Sequence, residues 1–151
     1  MMRSRFAVFL MILAASVALV VAPAVAKAPA GRFVVDAKGE TVQDTMTKLT
    51  WQRVVVGDQY NWAGAKDFCG SLPLAGGGWR LPDVRELRSI VDRQQLNPAI
   101  DPTAFPDTPS GFFWSSTPVQ GSSSNAWGVH FSYGYSYSHD VTYGNRVRCV
   151  R

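Results

Sequence analysis

Three tyrosines at alternate positions, Tyr133, Tyr135 and Tyr137, followed by His139 and Tyr143, are the residues of this chain best suited to holding a ligand. Tyrosine presents a flat apolar face and a hydroxyl on a side chain with few torsions, so a row of them binds at low entropic cost. The same alternation would equally serve to cover a sheet or a small core. Just beyond, Arg146 and Arg148 fall on one side of an extended segment, with Val147 and Cys149 on the other, and no acid lies between Asp140 and Arg151. Guanidinium groups in such a row can grip carboxylates or sulfates through paired hydrogen bonds. Pairing with Asp or Glu elsewhere in the fold is the plainer alternative.

Catalytic chemistry finds little support. Ser115 or Ser116, His130 or His139, and Asp140 supply the members of a hydrolytic triad, yet no nucleophile-elbow pattern surrounds either serine. No enzyme activity is expected. Asn97, Asp101 and Asp107 carry hard oxygen ligands that suit calcium. Asn and Asp beside proline commonly cap turns instead, and no cofactor is expected. Zinc is poorly served by two histidines and no cysteine pair at ligand spacing.

The chain opens with Arg3 and Arg5, an apolar run from residue 6 to 25, and a small-x-small pattern at Ala24-Val25-Ala26. These are the parts of a secretory signal peptide over residues 1–26. The run is long enough to span a bilayer, so a retained anchor is the alternative. Cleavage would leave one ordinary domain with no stable membrane span, and removal of Arg3 and Arg5 would lower the formal charge from +4 to +2. So small a charge gives no reason to expect nucleic acid as a partner. The expected location is the periplasm, the cell surface or the medium.

Cys69 and Cys149 are the two cysteines, and outside the cytosol disulfides persist. A bridge between them would close a loop of about 80 residues, worth about 4 kcal/mol by chain entropy. Two free buried thiols are the other possibility.

The elements that must position these residues are marked along the chain. Residues 27–31 read as a flexible lead, and 32–151 as one domain. Residues 32–35, 41–43 and 49–56 have strand character. Asn61 can cap a helix on which Trp62, Ala65, Phe68, Cys69 and Leu72 share a face. In Trp79-Arg80-Leu81-Pro82-Asp83-Val84-Arg85-Glu86-Leu87, Asp83 and Glu86 have the spacing of a capping box. Behind them Val84, Leu87, Ile90 and Val91 predict a helix of about ten residues. Trp79, Arg80, Asp83, Glu86, Trp114 and Trp127 are read as residues that hold the fold, with Arg80 in a salt bridge. Pro98, Pro102, Pro106 and Pro109 punctuate an irregular segment over 97–110. Residues 112–117, 126–133, 141–143 and 146–150 are expected to form the closing strands. The order predicts an α+β domain.

With these elements in place, the chain resembles a known family. Leu49-Thr50-Trp51-Gln52, Asn61-Trp62-Ala63 leading to Phe68-Cys69, and Trp79-Arg80-Leu81-Pro82 with Glu86-Leu87 carry the resemblance. So do Asp101, Phe105-Pro106, Phe113-Trp114-Ser115-Ser116-Thr117, Ala126-Trp127 with Phe131, and Arg148-Cys149-Val150-Arg151. They are similar to the C-terminal domain family of the Legionella collagen-like protein. The resemblance implies a C-type-lectin-like fold, with two helices packed on a small, mostly antiparallel sheet and a long irregular loop. It implies a Cys69–Cys149 bridge from the first helix to the last strand. It also implies adhesion to a glycan or other cell-surface polymer, sulfated polysaccharides included. The calcium-dependent sugar signature of lectins (Glu-Pro-Asn or Gln-Pro-Asp, then Trp-Asn-Asp) is absent, as is any collagen repeat. Formylglycine-generating enzymes share the implied fold but need a cysteine pair near the C-terminus, where this chain has Cys149 alone. The expected function is a non-enzymatic exported binding module. The alternative is a structural domain of the periplasm that binds a protein of the envelope.

Overall fold

The computed structural model describes residues 29–55 and 57–151. The expected signal peptide, residues 27–28 of the lead and Val56 lie outside the described residues. Nine short elements follow one another: β1 (Phe33–Val35), β2 (Thr41–Asp44), β3 (Thr50–Gln52), α1 (Trp62–Ser71), a 3-10 turn (Leu74–Gly76), α2 (Val84–Ser89), β4 (Phe112–Pro118), β5 (Asn125–His130) and β6 (Tyr135–Asp140). They build an α+β domain with two antiparallel three-stranded sheets, β1-β2-β3 and β4-β5-β6. No helix among the described residues is long and apolar enough to cross a membrane.

Side-chain oxygens set the turns and caps. Asp36 accepts from the amides of Glu40 and Thr41, both at 2.7 Å, and closes the β1–β2 hairpin with Gly39 at φ 72. Asn61 accepts from the Gly64 amide at 2.8 Å and starts α1. Asp83 and Glu86 form the expected capping box: Glu86 N donates to Asp83 at 2.7 Å, and Asp83 N donates to Glu86 at 2.8 Å. Arg80 then reaches Glu86 at 2.6 Å, so the acid that caps the helix also holds the arginine before it.

Several elements differ in extent from the sequence reading. Helix α2 has 6 residues rather than about ten. Ile90 and Val91 keep the apolar spacing, but Val91 pairs with Ile100 in an isolated bridge, and Asp92 N donates to Ala99 O. The chain therefore leaves the helix to follow the Pro-rich segment. Strand β3 stops at Gln52, where Arg53 turns its guanidinium toward the carbonyls of Gly39 and Thr103. Strand β5 ends at His130, not Tyr133, because His130 O accepts from Tyr133 N and Gly134 N in a tight turn with Gly134 at φ 73. Residues 135–140, not assigned to a strand by sequence, are β6. Residues 141–143, expected as a strand, are a turn held by Asp140, which accepts from the Thr142 amide at 2.9 Å.

The last expected strand is a linker between sheets. Arg146 bridges Phe113 of β4 in parallel, while Val150 bridges both Trp51 of β3 and Arg80. Cys149 in this segment forms a disulfide with Cys69 of α1, closing a separation of 80 residues. Two apolar clusters meet here. One gathers Trp51, Leu87, Ile90, Phe105, Phe113 and Val129; the other gathers Cys69, Trp79, Phe112, Trp114, Val147 and Cys149.

Candidate ligand-binding face

Strand pairing decides which side chains share a surface, because residues opposite one another in an antiparallel ladder point the same way. Gly128 faces Tyr137, His130 faces Tyr135, and Ala126 faces His139; on the other side of β5, Phe112 faces His130 and Trp114 faces Gly128. Tyr135, Tyr137 and His139 therefore lie with His130 and Phe112 on one face of the sheet. Val129, Phe113, Ser136 and Ser138 lie on the opposite face, with Phe113 and Val129 in the core that α2 covers.

The rings form a continuous row. His130 stacks on Tyr133 at 6.4 Å and on Tyr137 at 6.0 Å. Tyr137 meets His139 at 5.2 Å, and His139 meets Tyr143 at 5.7 Å. Phe112 lies beneath, 4.9 Å from Tyr137 and stacked on His139 at 4.3 Å. Exposure runs along the row: Tyr133 56%, Tyr135 64%, Tyr137 37% and Tyr143 58%. Gly128 makes the floor possible. A Cβ there would stand 2.2 Å from the Phe113 carbonyl and 2.3 Å from the Phe112 ring.

His130 Nδ1 accepts from the Ser132 amide at 3.3 Å, which leaves the proton of the neutral ring on Nε2. Burial, and then the nearby His139, push the His130 pKa down. Burial pushes the Tyr137 hydroxyl up, so it keeps its proton. His139 Nδ1 is buried without a hydrogen-bond partner.

The structure thus brings Tyr133, Tyr135, Tyr137, His139 and Tyr143 together, and it adds His130, Phe112 and Gly128, which the sequence did not assign to the site. The signal was present in the alternation itself: a tyrosine at every second position is the pattern of a strand, and a strand needs a partner that alternates in step.

Arg146 and Arg148 do not join the row. Arg146 pairs with Phe113 and packs beside Gly111, so it belongs to the opposite face. Arg148 is fully buried. Its guanidinium donates to the carbonyls of Gln52 at 2.6 Å and Arg53 at 2.8 Å and to Thr108 Oγ1 at 2.7 Å, and it lies 4.7 Å from the Phe105 ring centre. Neither arginine pairs with an acid among the described residues.

The tryptophans read as holding the fold differ in their contacts. Trp79 donates to Leu74 O at 2.7 Å with Arg151 over its ring, and Trp114 donates to Tyr60 O at 2.8 Å. Trp127 is half-buried opposite Ser138 and belongs to neither apolar cluster. Ser115 donates to Trp127 O at 2.7 Å, so its hydroxyl is committed away from both histidines. Asp101 caps the turn that follows it, accepting from Thr103 N at 2.8 Å and Ala104 N at 3.1 Å. Asn97 and Asp107 sit at φ 52 and 54 in the same irregular segment. No group of three or more His, Cys, Asp or Glu placed to hold a metal occurs among the described residues.

Comparison with known proteins gives one family. Residues 40–151 match the family model described as the Lcl C-terminal domain. No curated protein matches the chain.

Proposed function

The chain belongs to the Lcl C-terminal domain family, and from that premise we propose that it is an exported binding module that holds a glycan on its tyrosine face. The fold this implies is C-type-lectin-like. Export rests on the signal-peptide pattern of residues 1–26 and on a disulfide, a bond that persists outside the cytosol. The protein acts in the periplasm or at the cell surface and works by binding, without turnover.

The observation that carries the reading is the row of four exposed tyrosines on one sheet face, over a floor of Phe112 and His139. Monomeric proteins rarely leave contiguous aromatic surface bare without use for it. Hydroxyl-bearing rings suit a partner that is apolar on its faces and polar at its edges, and a sugar ring is such a partner.

A glycan array run with the purified protein tests this. Binding to a defined set of glycans is expected, together with a loss of about threefold to tenfold for Tyr135→Ala or Tyr137→Ala at an unchanged unfolding midpoint. Arg146→Ala, on the opposite face, should bind as the parent does. Silence across the array, with tyrosine variants indistinguishable from the parent, would overturn the reading.

A further inference from the structure

We propose that the tyrosine face takes an uncharged polysaccharide laid lengthwise along β6, and that it does not select sulfated or carboxylated chains. The inference rests on the glycan reading above and narrows it to one ligand class.

The geometry is that of a track. Tyr135 and Tyr137 are two residues apart on one strand, a repeat of about 6.7 Å along the chain direction. Ring contacts extend the row to Tyr133 at one end and Tyr143 at the other. Strand β6 is also the last strand of its sheet, and among the described residues its outer edge carries no neighbouring strand. Clefts of about 220 and 290 Å³ exist elsewhere on the molecule, lined by Arg32, Phe33 and Asp101 and by Val34, Gln43 and Arg151. Neither includes a residue of the row. A ligand on this face is stacked along a surface rather than swallowed, and a chain longer than the row can run past both ends.

The charge pattern then selects the ligand. Among the described residues, arginine and lysine lie over aromatic rings at Phe33, Trp62, Phe105 and Trp79, and over none of the rings of the row. Arg148 is committed to carbonyls in the core, and Arg146 lies across the sheet. The stem of Arg93 comes near Gly134 at the turn. An anionic polysaccharide needs paired cationic donors at its repeat. This face offers phenol hydroxyls and imidazole rings.

Titration calorimetry of the purified protein separates the outcomes. The probes are a cello-oligosaccharide series from dimer to hexamer, chitin oligosaccharides, and heparin, each at low and high salt. The expected result is affinity that rises with oligosaccharide length and changes less than about twofold with salt, with heparin unbound. Tyr135→Ala and Tyr137→Ala should abolish the length dependence. Heparin binding that weakens steeply with salt would overturn this inference and leave the glycan reading standing. A dimer that binds as tightly as the hexamer would overturn the lengthwise placement. No binding to any of these sugars would overturn both.

Discussion

Arg148 is a positive charge placed in the core without a negative one to meet it. Its partners are two carbonyls and a hydroxyl, and its Nε has none. Burial pulls the guanidinium down to about 9, so it stays charged at neutral pH. Holding that charge out of water costs stability. Truncation would nonetheless be worse. Arg148→Ala leaves a cavity against Phe105 and strips Gln52 O, Arg53 O and Thr108 of their donor, and should cost about 3 kcal/mol or more. Urea unfolding measures this; a loss under about 1 kcal/mol would mean the fork is dispensable. His130 titrates in the opposite setting, on the exposed face. Its folded pKa lies below the unfolded value, so the unfolded chain takes the proton first as pH falls. Its share of stability is full above about pH 6.5 and is lost on acidification below it. The groups facing it are Tyr133, Tyr135, Tyr137 and His139, none of them acidic. Thermal midpoints between pH 7 and 5 should fall more gently in His130→Gln than in the parent, and parallel curves would refute this.

Elements that depend on near neighbours were legible in the sequence, and those that depend on distant partners were not. Asn61 and Asp83 cap their helices through amides three residues on, and the apolar face of α1 is fixed by spacing along one helix. The end of α2 is decided by Ile100, ten residues away, and spacing alone could not announce it. Strand β6 is hard to see in the sequence because alternating tyrosine and serine suits a set of ligand groups as well as a strand. The placement of Arg146 and Arg148 on one side was legible; that this side too packs inward, as the Val147 and Cys149 side does, depends on Phe113 and Phe105, over thirty positions earlier. The pairing of β4 with β5 makes the sharpest demand on a single position. With Phe113 O at 2.2 Å and the Phe112 ring at 2.3 Å from a Cβ at Gly128, no small adjustment accommodates one. Gly128→Ala should force the strands apart at a cost of about 1–3 kcal/mol. It should also displace Phe112 from beneath Tyr137 and His139, so tyrosine fluorescence and ligand affinity change with the unfolding midpoint. A variant of parental stability would show that the ladder can slip to make room.

At the scale of the whole molecule, the closing six residues are what join two small sheets into one domain. Neither three-stranded sheet is large, and isolated sheets of this size hold poorly without something packed against them. Arg146 is hydrogen-bonded to β4, Cys149 O accepts from Gln52 N of β3, and Arg151 exchanges backbone hydrogen bonds with Thr50. The same segment carries the disulfide to α1, so one stretch of chain bears on three elements. A crosslink that closes a separation of 80 residues should restrict the unfolded chain strongly, by about 4 kcal/mol in the chain-entropy account. Both sulfurs lie in fully buried residues, so in the folded state they are shielded from reductant and should react only when the domain opens. Two outcomes follow for urea unfolding of the parent and of Cys69→Ala/Cys149→Ala. The double variant should lose about 4 kcal/mol, beyond what two small side chains cost in packing. The parent in mild reductant should first unfold at the parental midpoint and then drift toward that of the variant as opened molecules are reduced. Because Tyr135 and Tyr137 lie on β6, which the bridge does not join, the folded fraction of the double variant should keep its affinity for ligand. A double variant as stable as the parent would mean that the backbone hydrogen bonds of the closing segment suffice to hold the sheets together.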